Sequence, residues 1–271
     1  MHTSENRYVP DSITQPERKM VRKKLFRGVW TDTLNDNEAL PVGGSLINDE
    51  VTTRLELDFK TLDIGLEQLN PEEIRAKFEL RKEDLLKWLD DAKSDVDPFT
   101  FFVCVQIQQY VNRLLEIDAA HPTNPAEREA IYRQKTTPKL SELKGQSACA
   151  ERAALAQYLF QKAGVKSAYM SGITTRDASR KMESPIDHSF LILENPTHPD
   201  RSYVYDVARP RETQSGLPRV LETATTFSPK QFEGKTDLLI ESKEVLHGGK
   251  LWYGIGKPTM GTREMIPYQE K

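Results

Sequence analysis

The stretch GQSACAERAALAQYLFQKAGVKSAYMSG, residues 145–172, decides how the rest of the chain is read. Ala153, Leu155, Tyr158, Leu159 and Ala163 recur at helical spacing, so residues 149–163 are expected to form an amphipathic helix. Gly164 stands where a left-handed residue ends a helix, and VKSAYMSGI after it reads as a strand. A polar loop leads into this helix and places Cys149 in its first turn. Free backbone N–H groups at a helix start favour the thiolate form of a cysteine, and they also suit the oxygen of a tetrahedral intermediate. Cys149 is therefore a candidate nucleophile, with the side-chain amide of Gln146 as a candidate second oxyanion donor.

A thiol nucleophile needs a base. Of the five histidines, only His188 opens an apolar strand. Alternation along HSFLILE puts His188, Phe190 and Ile192 on one face, and alternation along SYVYDVA groups Ser202, Val204 and Asp206. If the two strands form a hairpin across NPTHPDR with Glu194 opposite Asp200, His188 falls directly opposite Asp206. Such a pair has Cβ atoms about 4.5–5.5 Å apart, close enough for a carboxylate to orient an imidazole. A slip of one residue would send Asp206 to the other face. Taken singly, each residue has an ordinary explanation: a packed cysteine, an exposed histidine, an aspartate that turns the chain. Cys on a helix followed by His and Asp on successive strands is the informative pattern.

The remaining sequence bounds the setting. Acidic residues slightly outnumber basic ones, for a formal net charge of −3, which gives no global field for nucleic acid, and no nucleic-acid partner is expected. No apolar run approaches the roughly 20 residues that span a bilayer, and the start MHTSENRYVPDS lacks the layout of a signal peptide. No membrane span is expected, and the expected location is the cytoplasm, or a host cell reached without a cleavable leader. Two cysteines make no disulfide framework; Cys104, in the apolar run FTFFVCVQIQQYVNRLLEI, is expected to be structural within a buried helix. Phosphate-loop, dinucleotide and zinc-protease motifs are missing, so neither cofactor nor metal is expected.

Residues 1–50 read as an extended polar arm, whose basic cluster at 18–27 is a solvated face or a partner contact. Residues 51–98 read as a helical N-terminal extension, in which PEEIRAKFELRKEDLLKWLDDAK carries a stripe of Ile74, Phe78, Leu85, Leu86 and Leu89. Residues 99–271 read as the main domain. His121 lies in a proline-punctuated loop, and the charged loop 174–187 is either a lid or plain surface. TDLLIESKEVLH and KLWYGIGK supply further strands. Helices first and strands second predict an α+β fold, with N-terminal helices packed on an antiparallel sheet.

The run KLSELKGQSACAERAALAQYLFQKAGVKSAYMSG resembles the core of the transglutaminase-like branch of the papain-like cysteine enzymes. DHSFLILE is similar to that family's His-bearing strand, and YVYDVARP to its Asp-bearing strand. The resemblance covers residues 140–210 and implies a papain-like, transglutaminase-like core. It implies Cys149 as nucleophile, His188 as base and acid, and Asp206 as orienting carboxylate. Relatives commonly have Gly two residues before the Cys, whereas Gly145 is four before; Ser189 and Phe190 replace the small residue and Trp that often follow the His; Tyr205 replaces a Trp before the Asp. Family members act as proteases, glutamine deamidases, transamidases and peptide N-glycanases. The resemblance thus implies a shared acyl-thioester step more than a substrate; the expected substrate is a protein or peptide. The rival expectation is an inert peptide- or protein-binding module in which Cys149 only packs. The N-terminal region is the expected place for partner recognition.

Overall fold

The structure, a computed structural model, describes residues 24–25, 29–31, 33–42, 54–62, 69–91, 94, 96–117, 124–134, 137–175, 186–198, 202–208, 219–223, 238–244, 250–255, 257–258 and 265–266. At 24–31, 41, 125, 171–187 and beyond 208 the description concerns the backbone alone. The basic cluster at 18–27, His121 and the loop 174–187 lie largely or wholly outside the described residues.

The fold is α+β. Short strands β1 (Lys24–Leu25), β2 (Val29–Thr31), β3 (Glu38–Pro41) and β4 (Arg54–Leu57) precede the helices α1 (Phe59–Leu62), α2 (Pro71–Glu79), α3 (Lys82–Asp91), α4 (Pro98–Leu114), α5 (Pro125–Gln134) and α6 (Cys149–Lys162). Local chemistry sets the starts of these helices. Asn70 accepts from the Glu73 N–H at 2.9 Å ahead of Pro71, and Asp97 accepts from the Thr100 N–H at 2.7 Å ahead of Pro98. The Asp97 N–H also donates to Tyr203 Oη at 3.0 Å, which ties the start of α4 to the sheet. The stretch from Pro71 to Asp91 is divided at Leu80–Arg81 into α2 and α3. The break turns Leu80 and Leu86 out to solvent, while Ile74, Phe78 and Leu89 stay buried. Among the described residues, no helix is long and apolar enough to cross a membrane.

Six strands, β5 (Ser167–Thr175), β6 (Ile186–Glu194), β7 (Ser202–Asp206), β8 (Arg219–Thr223), β9 (Leu238–Glu244) and β10 (Lys250–Ile255), pair antiparallel in sequence. β10 then pairs back onto β5 through Gly254↔Ile173 and its neighbours, so the sheet closes into a ring. Closure, and the short strand β8 with its two apolar residues, are additions to the expected antiparallel sheet. A ring leaves no open first or last edge. The outer edge of β5 is shared, because β2 pairs at Tyr169 and Met170 just below the β10 contact.

α6 packs on β5 and β6 from outside the ring, and α4 packs on α6. Tyr169, Leu191, Leu193, Tyr203 and Tyr205 form the sheet side of this core, against Phe101, Val103, Cys104, Ile107, Leu155 and Phe160 from the helices. Each such large buried side chain contributes about 1.5–3 kcal/mol relative to exposure. Leu34, Leu40, Val42, Leu55, Leu57 and Phe59 join the same cluster. Within the arm, Leu34, Leu40 and Val42, and within the 51–98 segment, which includes strand β4, residues such as Leu55, Leu57, Ile74 and Leu89, are buried in the same core as the helices and strands that follow. The arm is held there partly by Gln157 on α6, whose Oε1 accepts the Leu34 N–H at 3.1 Å.

α6 stops as its sequence predicts. Gly164 has φ +73°, and the N–H groups of Gly164 and Val165 close back onto Gln161 O and Phe160 O at 3.1 and 2.9 Å. A Cβ on Gly164 would also stand 2.9 Å from Pro71 Cγ, a contact between α2 and the end of α6. Gly164→Ala is expected to destabilise the protein by about 1–3 kcal/mol, from left-handed strain and the clash together, read as a lower denaturant midpoint at unchanged slope.

Candidate functional site

Cys149 is the first residue of α6 and is partly exposed. Ala148, at the capping position, makes no side-chain cap, so the first turn keeps backbone donors that a Ser or Asp would have taken. The loop before it is shaped by Gly145, at φ +73°, whose N–H donates to Leu115 O at 2.7 Å. The position of that glycine fixes how the chain enters α6.

His188 is the third residue of β6, buried, with its ring stacked near Phe190 at 6.3 Å between centroids. Asp206 closes β7 and is fully buried. The structure pairs Leu191 with Tyr205 and Glu194 with Ser202, not Glu194 with Asp200. The expected register is thus displaced by two residues, and Asp206 lies diagonal to His188 instead of directly opposite. Asn195 supplies the reason: its Oδ1 accepts from the N–H groups of Thr197 and His198, building a longer turn before β7 begins. Because the side-chain period is two, this displacement keeps both residues on one face. His188 Nε2 and Asp206 Oδ2 lie 2.8 Å apart.

The other ring nitrogen is left for Cys149, which hydrogen-bonds the His188 side chain. Access to it depends on where β7 ends. The last β6–β7 pair is Leu191↔Tyr205, so residues 186–190 of β6 have no pairing with β7. Along that stretch the sulfur of Cys149 accepts a hydrogen bond from the Ser189 backbone N–H. Ser189 is held in turn by Tyr169, whose hydroxyl donates to Ser189 Oγ at 3.0 Å.

Electrostatics follow from these contacts. Burial pushes the Cys149 thiol up, but the hydrogen bond and charge of His188 and the Ser189 N–H outweigh it, and the thiol lies below its ordinary value. Burial pulls His188 down, but the Asp206 carboxylate and Cys149 raise it to about 9. The two shifts run in opposite directions, which favours a thiolate–imidazolium pair at neutral pH. Cys104 is the contrast: it is wholly buried in α4, and burial together with Asp97 pushes its thiol well above the usual range.

Gln146 joins the entering loop to α5: its Oε1 accepts from the Asn124 N–H at 3.2 Å and its Nε2 donates to Glu127 at 2.6 Å. Sequence reasoning missed Glu151, which is wholly buried and accepts from the Ala148 N–H at 2.8 Å. Its position three residues after the cap is the capping-box spacing, the one signal that pointed to it. Arg128 and Tyr132, which bind Glu151, carry no such signal. Among the described residues no group of three His, Cys, Asp or Glu side chains is arranged for a metal ion.

Asp206→Asn removes the charge that holds the His188 proton. The His188 ring is expected to titrate near 9 in the native protein and to move down toward 6.5 in the variant, followed by imidazole NMR signals. The linkage has one sign: the pair stabilises the fold fully below the ordinary histidine value, and that stability is lost as the pH rises through about 9.

No family model matches the chain, and no curated protein and no solved structure matches it.

Proposed function

We propose that the protein is a cysteine-dependent amide hydrolase or acyl transferase on a transglutaminase-like, papain-like core, acting on protein or peptide amides through a thioester at Cys149. The observation that carries this is the continuous chain from the Cys149 sulfur through the His188 ring to the buried Asp206 carboxylate. A cysteine that only packed would not need that partner.

In this mechanism the thiolate of Cys149 attacks the amide carbonyl carbon, forming a C–S bond while the carbonyl electrons move to oxygen. Backbone donors of the first turn of α6 stabilise that oxygen. The C–N bond then breaks, and His188 gives its proton to the leaving amine, so that thioester and neutral imidazole remain. Water, or an acceptor amine, attacks the thioester as His188 takes its proton. The C–S bond breaks, and the thiolate–imidazolium pair is restored. Asp206 keeps the ring in the tautomer and orientation that both transfers require.

Iodoacetamide labelling tests the nucleophile. Near neutral pH, Cys149 is expected to react at least about tenfold faster than Cys104, with His188→Ala removing most of the difference. Slow labelling of both thiols, unaffected by His188→Ala, would instead support an inert peptide-binding module. Glutamine-bearing proteins incubated with the enzyme are expected to show, by mass spectrometry, exchange of amide NH2 for OH or a covalent link to an amine. His188→Ala is expected to lower that turnover by about 10²-fold or more.

A further inference from the structure

A buried carboxylate beside a thiolate is an unfavourable arrangement, and Glu151 stands only two positions after Cys149. In a low-dielectric interior, like charges strengthen each other's protonated forms. Glu151 nevertheless has a local task, because its Oε2 accepts the Ala148 N–H and so fixes the turn that delivers Cys149 to the strand edge. The other oxygen, Oε1, is bound by three donors: Arg128 Nη2 at 2.5 Å, Arg128 Nε at 3.2 Å and Tyr132 Oη at 2.6 Å. All three come from one face of α5, a helix outside the sequence match that suggested the site.

Resting on the reading of Cys149 as a nucleophile, we infer that Arg128 is a positioning residue for its reactivity. Its guanidinium offsets the charge of Glu151, so that Glu151 can hold the entrance of α6 with less opposition to the thiolate.

The groups around the sulfur support this division of roles. On α6, Glu151 opposes the thiolate, and Arg152 lies nearby with its Nε donating to Ser147 O at 3.1 Å and Ser147 Oγ at 3.3 Å. From α5 come Arg128 and Tyr132; from β5, the Tyr169 phenol; from β6, His188; and behind it on β7, Asp206. Tyr132 and Tyr169 are pushed up by burial and stay neutral donors. His188 is matched by Asp206, and Glu151 by Arg128, which leaves the thiolate opposed by no unmatched acid among these groups. Burial pushes Glu151 up, but Arg128 and Tyr132 hold it below the usual carboxylate range, so it is charged at neutral pH and requires the partner. Arg128 keeps its place through the ring of Tyr132, 4.9 Å from its guanidinium carbon. The turn before α5 is fastened to the loop before Cys149 through Asn124, Gln146 and Glu127. α5 is thus mounted on the start of α6 by polar contacts that all converge near the sulfur.

The test is the pH dependence of iodoacetamide alkylation at Cys149 in the full-length protein, with Cys104 as internal reference and far-UV circular dichroism to establish folding. Arg128→Gln is expected to raise the midpoint of the Cys149 profile by at least one pH unit, so that the rate at pH 7 falls about tenfold or more. Arg128→Lys, which keeps the charge, is expected to stay within about threefold of wild type, and Glu151→Gln to hold the midpoint at or below the wild-type value. The double variant Arg128→Gln/Glu151→Gln is expected to return to within about threefold of wild type, because the charge needing a partner is gone. The inference is overturned if Arg128→Gln folds and leaves the midpoint unmoved, or if Glu151→Gln raises it. It is also overturned if the double variant remains as slow as Arg128→Gln. If Arg128→Gln does not fold, Glu151→Gln and the double variant decide. A wild-type Cys149 midpoint no lower than that of an ordinary thiol removes the nucleophile assignment itself, an outcome distinct from all of these.

Discussion

The site rests on the meeting of the Cys149 sulfur with the His188–Ser189 stretch of β6. The last β6–β7 pair is Leu191↔Tyr205, and beyond it the sulfur accepts the Ser189 N–H and meets the His188 ring. A backbone N–H buried without a partner costs about 1–3 kcal/mol, so the Ser189 N–H constrains the position of the sulfur as well as its charge. A thiolate is the best acceptor available at that point, and its neighbour on the same strand is the imidazole that matches its charge. Sheet geometry and acid–base chemistry therefore meet at one contact.

The surroundings hold that contact in place from two directions. From the sheet, the Asn195 turn sets where β7 begins and hence where Asp206 ends it, and Tyr169 fixes Ser189 from the next strand. From the helices, α6 is pinned at both ends: by Glu151 and its α5 partners at the start, and by Gly164 against Pro71 at the finish. The large core shared by the N-terminal segment, α4, α6 and the outer face of β5–β7 keeps these anchors in fixed relation. Buried, hydrogen-bonded charges at such a place cost stability unless every member is matched. Here Glu151 has Arg128 and Asp206 has His188.

Much of this was legible along the chain, and the residues that were legible share a property. α6 was visible because its apolar spacing, its terminal glycine and the cysteine at its start all lie within one helix. β6 and β7 were visible because alternation is local, and it placed His188 and Asp206 on a common face even though their register differed by two. Asn195 explains that difference: a side chain turning back on its own loop changes the loop's length without changing which face a strand presents.

Sequence by itself determined α6, β6 and β7, their order, and the places of Cys149, His188 and Asp206 on them, because each is set by contacts within a few residues. Tertiary structure alone decided what those ends meet. Ring closure by β10 on β5, burial of β3 and β4 in the main core, and the placing of Arg128 and Tyr132 on Glu151 join residues far apart in the chain. Gln146 shows the same limit from the other side, since its position beside Cys149 in sequence gave no sign that Asn124 and Glu127 would claim its amide. Periodicity encodes which face of an element is apolar; which partner covers that face is chosen only when the whole chain packs.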